Sequence, residues 1–154
     1  MGVIIIREMV GTSPQSWSDA ARQAVATANH LNPDLVVLTG DYVQQEAESI
    51  FELAPVLASL KARYGVFTSL GNHDLWTNRT IVQTGLKEAR LPLLLNQGVA
   101  LNVNGAPLYL AGLDDAWSGE PDLAAAMAGW SSGAPIILLA HEPDVADTFA
   151  RDER

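Results

Sequence analysis

Three short apolar runs each stop at a polar cluster, and this constrains the fold most. Leu35-Val36-Val37-Leu38 leads into Thr39-Gly40-Asp41, Val66-Phe67-Thr68-Ser69-Leu70 into Gly71-Asn72-His73-Asp74, and Ile136-Ile137-Leu138-Leu139 into Ala140-His141-Glu142. Continuous apolar runs bounded by turn residues fit strands buried on both faces. Helical periodicity fills the gaps between them. Trp17, Ala21, Ala24, Val25, Ala28 and Leu31 make one apolar face after the capping residue Ser16, and Asn32-Pro33 ends that helix. A second helix is predicted over Glu46 to Arg63, kinked or split at Pro55 and closed by Gly65, and a third over Arg79 to Arg90.

The pattern then changes. Val99 to Val103 and Pro107 to Leu110 flank Asn104-Gly105, a strong signal for a tight hairpin turn. A helix over Pro121 to Trp130, the strand Ile136 to Leu139 and a last helix opening at Pro143 follow. Ahead of all these, Val3 to Val10 reads as a strand. The order is βαβαβα, then a hairpin, then αβα. It predicts an α/β fold with a parallel sheet covered by helices, the hairpin adding a mixed or second sheet.

Composition narrows the function classes. The 154 residues suit one domain, 1–154, with no linker or repeat to divide it. A formal charge of −9 argues against nucleic acid or an anionic membrane as the main partner. It leaves a small anionic substrate open, because a bound cation reverses the local field. With no cysteine, any metal must rest on Asp, Glu, Asn and His. No apolar run is long enough to span a membrane, and the short run after Met1 lacks the positive segment of a signal peptide, so localisation is unassigned.

In a parallel sheet the strand C-termini share one edge, where ligands bind. Asp41, Asn72, His73 and His141 would converge there from separate parts of the chain. Carboxylate, carboxamide and imidazole donors suit Mn, Fe or Zn, and two such cations about 3.5 to 4 Å apart can activate water and neutralise a phosphoryl transition state. Each residue also has an ordinary reading: Asp41 as a loop cap, Asn72 as a turn residue, His141 as a buried histidine, His73-Asp74 as a surface pair. The combination favours the site. Asp114-Asp115 reads as a loop or as a pocket mouth, and Trp76 and Trp117 as packing anchors or pocket walls.

These segments resemble the calcineurin-like metallophosphoesterases. "LVVLTGDYV" looks like that family's strand-GD motif, "SLGNHD" matches its GNH[DE] motif, and "LLAHEPD" is similar to its next metal-histidine motif. "AGLDDAW" is similar to a segment of the bacterial membrane-associated phosphodiesterase-like branch. The resemblance implies an αββα sandwich that hydrolyses phosphomonoesters or phosphodiesters of small substrates with metal-activated water. It implies that Asp41 bridges two divalent metals, that Asn72 and His141 bind the second, and that His73 protonates the leaving alkoxide while Asp74 orients its ring.

Two family motifs are not seen. Arg7 and Met9 stand where an Asp-x-His is expected, and no Gly-His-x-His follows His141. Either the domain is incomplete, with an open sheet edge that invites homo-oligomers, or it is a degenerate, catalytically silent binding or scaffold module with one metal or none. In the second case Arg7 could place a fixed positive charge at the first metal position.

Overall fold

The computed structural model describes residues 14–147. The expected strand over Val3 to Val10, with Arg7 and Met9, lies outside the described residues. So does the final helix beyond its first turn, residues 145–147.

Helix α1 (Trp17–His30) starts where Ser16 accepts the Asp19 N–H at 3.1 Å. Strand β1 (Val36–Leu38) pairs in parallel with β2 (Val66–Thr68), matching Val36 with Val66 and Leu38 with Thr68. Between them a 3-10 turn over Ala47–Ser49 feeds α2 (Ile50–Leu57). This helix is shorter than predicted. Pro55 has no N–H to return to the preceding turn, and the helix ends two residues after it. Gly65, with φ at +111°, forms the turn into β2 rather than a helix cap.

Helix α3 (Asn72–Glu88) begins directly after β2, earlier than the expected Arg79. Its continuity is broken at Asn78, where φ is −167° and ψ is 97°, so the first turns and the predicted later stretch are two helical pieces. Strands β3 (Gln97–Val103) and β4 (Ala106–Gly112) form the antiparallel hairpin, with Val103 opposite Ala106. Asn104 and Gly105 both take positive φ, 53° and 87°, as a two-residue type I′ loop requires. Helix α4 (Leu123–Ala126) is a single turn capped by Asp122, not the longer helix expected up to Trp130. Strand β5 (Ile136–Leu139) runs parallel to β4.

Among the described residues the sheets are therefore two, β1-β2 and β3-β4-β5. One apolar layer joins them: Leu110 and Leu139 meet Leu35 and Phe67. Outside β1-β2, Ile50, Leu53, Val82 and Leu86 of α2 and α3 form the largest core, reached by Ala21 of α1. Outside the other sheet, Tyr109 and Ala111 pack with Ala126 of α4 and with Val145. The layer order is αββα. Alternation along β4, with Leu110 turned to one layer and Tyr109 and Ala111 to the other, follows from the two-residue period of a strand.

The expectation that β1 and β5 are covered on both faces does not hold. Val37 is 38% exposed, and Ile136 and Leu138 are 43% and 38% exposed. Among the described residues β1 has only β2 beside it and β5 only β4. Val37 of β1 and Ile136 and Leu138 of β5 thus stay partly exposed, with no described strand beside their free edges.

Candidate metal and phosphate site

The ends of β1, β2, β4 and β5 meet, though from two sheets rather than along one. Glycine permits the approach. A Cβ on Gly40 would run into the backbone of Leu70 and Gly71, and one on Gly71 into the Asp41 carboxylate and the His141 ring. Gly40 and Asp41 also take positive φ, 99° and 57°, which turns the chain sharply out of β1.

Asp74 holds this turn. Its carboxylate is fully buried. Oδ2 accepts the N–H of Asp41 at 2.9 Å and of Gly71 at 3.0 Å, and Oδ1 accepts those of Tyr42 at 2.8 Å and Val43 at 3.3 Å. Burial pushes its carboxyl up, against the pull of these N–H groups toward the ionised form. The Tyr42 hydroxyl lies 2.9 Å from the carbonyls of both Leu38 and Ser69, tying the ends of β1 and β2 together. No bond from Asp74 to the His73 ring is among these contacts. Its oxygens accept backbone N–H groups, and the His73 ring contacts the Gln44 carbonyl, 3.4 Å from Nδ1.

Asp41 receives the His73 backbone N–H on Oδ1 at 3.1 Å. Its Oδ2 lies 3.3 Å from Nε2 of His141. On the other side of that ring, Nδ1 is 2.7 Å from the Thr39 carbonyl. A carbonyl only accepts, so Nδ1 carries a proton and donates it. In the neutral ring, Nε2 then presents a lone pair to a carboxylate. Two acceptors at that distance call for a proton or a cation between them. A ring N–H given to a backbone carbonyl is the arrangement in which metal-binding histidines are held. Two donors each about 2.1 Å from one ion lie roughly 3 Å apart, as here. Asn72 opens α3 beside Gly71, is 6% exposed, and its carboxamide makes no hydrogen bond to the described residues.

The residues thus fit a hard divalent cation in donor chemistry. Among the described residues no group of three or more carboxylate and imidazole side chains could hold a metal. The donors are one carboxylate, one imidazole and one carboxamide.

Beneath His141 lies a pair of carboxyl groups that sequence reasoning missed in part. Asp115, a loop candidate, and Glu142, not singled out, are 0% and 4% exposed. Asp115 Oδ1 accepts the N–H of Trp117 and Ser118, and Glu142 Oε2 that of Ala116 at 3.1 Å. The other oxygen of each has no partner. Burial, and then the adjoining Asp115, push the Glu142 carboxyl up. Asp114 behaves oppositely. Burial acts upward, but the Arg79 guanidinium and the N–H groups of Glu120 and Asp115 outweigh it and hold this carboxyl below its usual range. The buried acid after β4 was recognisable from "LDDAW"; its pairing with Glu142 arises only in three dimensions.

Trp76 and Trp117 are 58% and 66% exposed, so neither is a packing anchor. Among the described residues no helix is long and apolar enough to cross a membrane.

Comparison with known proteins shows the family. The family model for calcineurin-like phosphoesterases matches residues 15–153. A transmembrane protein with a metallophosphoesterase domain from Danio rerio is 29% identical over 93% of this chain and 35% of its own length. The metallophosphoesterase YkuE of Bacillus subtilis is 32% identical over 81% of this chain and 45% of its own. Phosphodiesterase YaeI of Escherichia coli is 32% identical over 84% of this chain and 48% of its own. The chain thus spans less than half the length of each of these relatives. No solved structure matches it significantly. By its matched span and by the motifs gathered at its strand ends, the chain belongs to the calcineurin-like phosphoesterase family.

Proposed function

We propose that this chain carries the centre of a metal-dependent phosphoesterase, hydrolysing the phosphoester of a small substrate. The observation that carries the reading is the Asp41–His141 pair: two donors set 3.3 Å apart, with the histidine's other nitrogen anchored on Thr39. Asp41, Asn72 and His141 would hold a divalent cation of the Mn, Fe or Zn type. Such a cation supplies Lewis acidity to a phosphoryl oxygen and lowers the pKa of a bound water.

His73 does the proton work. Its backbone N–H is fixed on Asp41, which anchors the residue beside the donor cluster. If Nδ1 donates to the Gln44 carbonyl, Nε2 is left to exchange a proton with the leaving oxygen. Asp74 serves as the clamp that shapes the cluster rather than as a proton carrier.

The test is release of p-nitrophenol from bis(p-nitrophenyl) phosphate by the purified chain with Mn²⁺. Activity should vanish with chelator, and His73→Ala should lower kcat about 100-fold or more. Equal rates in the two proteins would remove His73 from the chemistry.

A further inference from the structure

The first turn of α3 sorts its side chains sharply. Asn72 and Asp74 are buried and Leu75 packs on the core, while His73 and Trp76 turn outward. Their rings lie 4.9 Å apart, tilted by 57°, and the indole is 58% exposed. A large aromatic side chain left in water beside an imidazole forgoes the burial that normally stabilises it. What the position offers is a flat apolar face next to the group that handles the leaving oxygen.

Geometry decides which part of a substrate meets that face. A general acid must come within about 3 Å of the atom it protonates. The atoms bonded to that oxygen then fall within reach of a ring 4.9 Å from the acid. On the phosphoesterase reading Asp41, Asn72 and His141 would hold the cation, and the retained phosphoryl oxygens and the attacking water would lie toward it instead. A small hydrated alcohol gains little from an indole, whereas an aromatic ring gains a stacking partner.

Resting on the phosphoesterase reading above, we propose that Trp76 is a specificity residue that stacks the leaving group. The preferred substrates are phosphoesters whose leaving alcohol carries an aromatic ring on, or one carbon from, the ester oxygen.

The experiment is calorimetric titration of the full chain, with Mn²⁺ present, by two non-hydrolysable analogues: benzylphosphonate and ethylphosphonate. The wild type should bind the benzyl compound at least tenfold more tightly than the ethyl one. Trp76→Ala should lose about tenfold for benzylphosphonate and nothing for ethylphosphonate, and Trp76→Phe should keep most of the difference. Far-UV circular dichroism checks that both variants fold. If both compounds bind the wild type equally, or Trp76→Ala binds both as the wild type does, the phosphate site stands and the role of Trp76 falls. If neither compound binds the wild type, the phosphoesterase reading fails and this proposal fails with it.

Discussion

The Asp74 carboxylate accepts the backbone N–H of Asp41 at 2.9 Å, although the two residues are 33 positions apart. The same oxygen takes the N–H of Gly71, so one buried side chain joins the loop after β1 to the start of α3. Asp74→Asn would turn an amide NH₂ toward N–H donors and leave at least one of them unsatisfied without water. An unsatisfied buried group costs about 1–3 kcal/mol. The variant is expected to lose about 3 kcal/mol or more in urea denaturation, with an unchanged denaturant slope.

Gly71 tests the donor pair directly. Its φ of −113° suits any residue, so alanine meets no torsional penalty there. The added methyl would press on the Asp41 carboxylate and backbone N–H and on the His141 ring, so the loop after β1 must shift locally. Gly71→Ala should keep its circular dichroism spectrum and lose Mn²⁺ binding by at least tenfold in calorimetric titration. Unchanged binding would show that Asp41 and His141 do not act as a donor pair.

Metal removal has a thermal signature. A cation that binds only the folded chain stabilises it by about 2.7 kcal/mol at 100 times its dissociation constant. Mn²⁺ should raise the melting temperature of the wild type, chelator should reverse the rise, and His141→Ala should abolish it. An equal rise in His141→Ala would place the cation elsewhere.

The sequence legibility of this protein follows the range of the interactions concerned. Asn104-Gly105 was readable because a type I′ turn is a local demand on two residues. The strand ends were readable because Gly40-Asp41 and Gly71-Asn72 interrupt apolar runs. The start of α3 was not. Asn72-His73-Asp74 looks like a turn until Asp74 is seen to cap the helix by taking the Gly71 N–H. The lengths of α2 and α4 were overestimated because periodicity continues past the point where Pro55, or the turns leading to Trp130, end the hydrogen bonding. The Thr39 carbonyl that anchors His141 could not be read at all. It is a backbone group 102 positions from its partner, and no side-chain pattern marks it.

Glu142 gives a pH-dependent prediction. Its folded-state carboxyl is raised by burial and by Asp115, so ionising it costs more in the folded chain than in the unfolded one. That cost is absent below the ordinary value of 4.5 and complete above the raised folded value. Stability contributed by this group therefore falls as pH rises through that window. Glu142→Gln can still accept from Ala116 and can donate to Asp115 with no proton required. It should melt at a higher temperature than the wild type at pH 8, with the difference vanishing near pH 4. A variant less stable at both pH values would contradict a carboxyl raised by burial and by Asp115.

The clamp around Asp74 also bears on motion. The amides of Asp41, Tyr42, Val43 and Gly71 all end on one buried carboxylate, so none can meet solvent deuterium unless the whole junction between β1, β2 and α3 opens. Although Asp41 itself sits at the surface, these four amides should exchange as slowly as the deepest core and in step with one another. The donor cluster is then rigid before any ligand arrives, and adaptation to different substrates is left to the side chains that ring it.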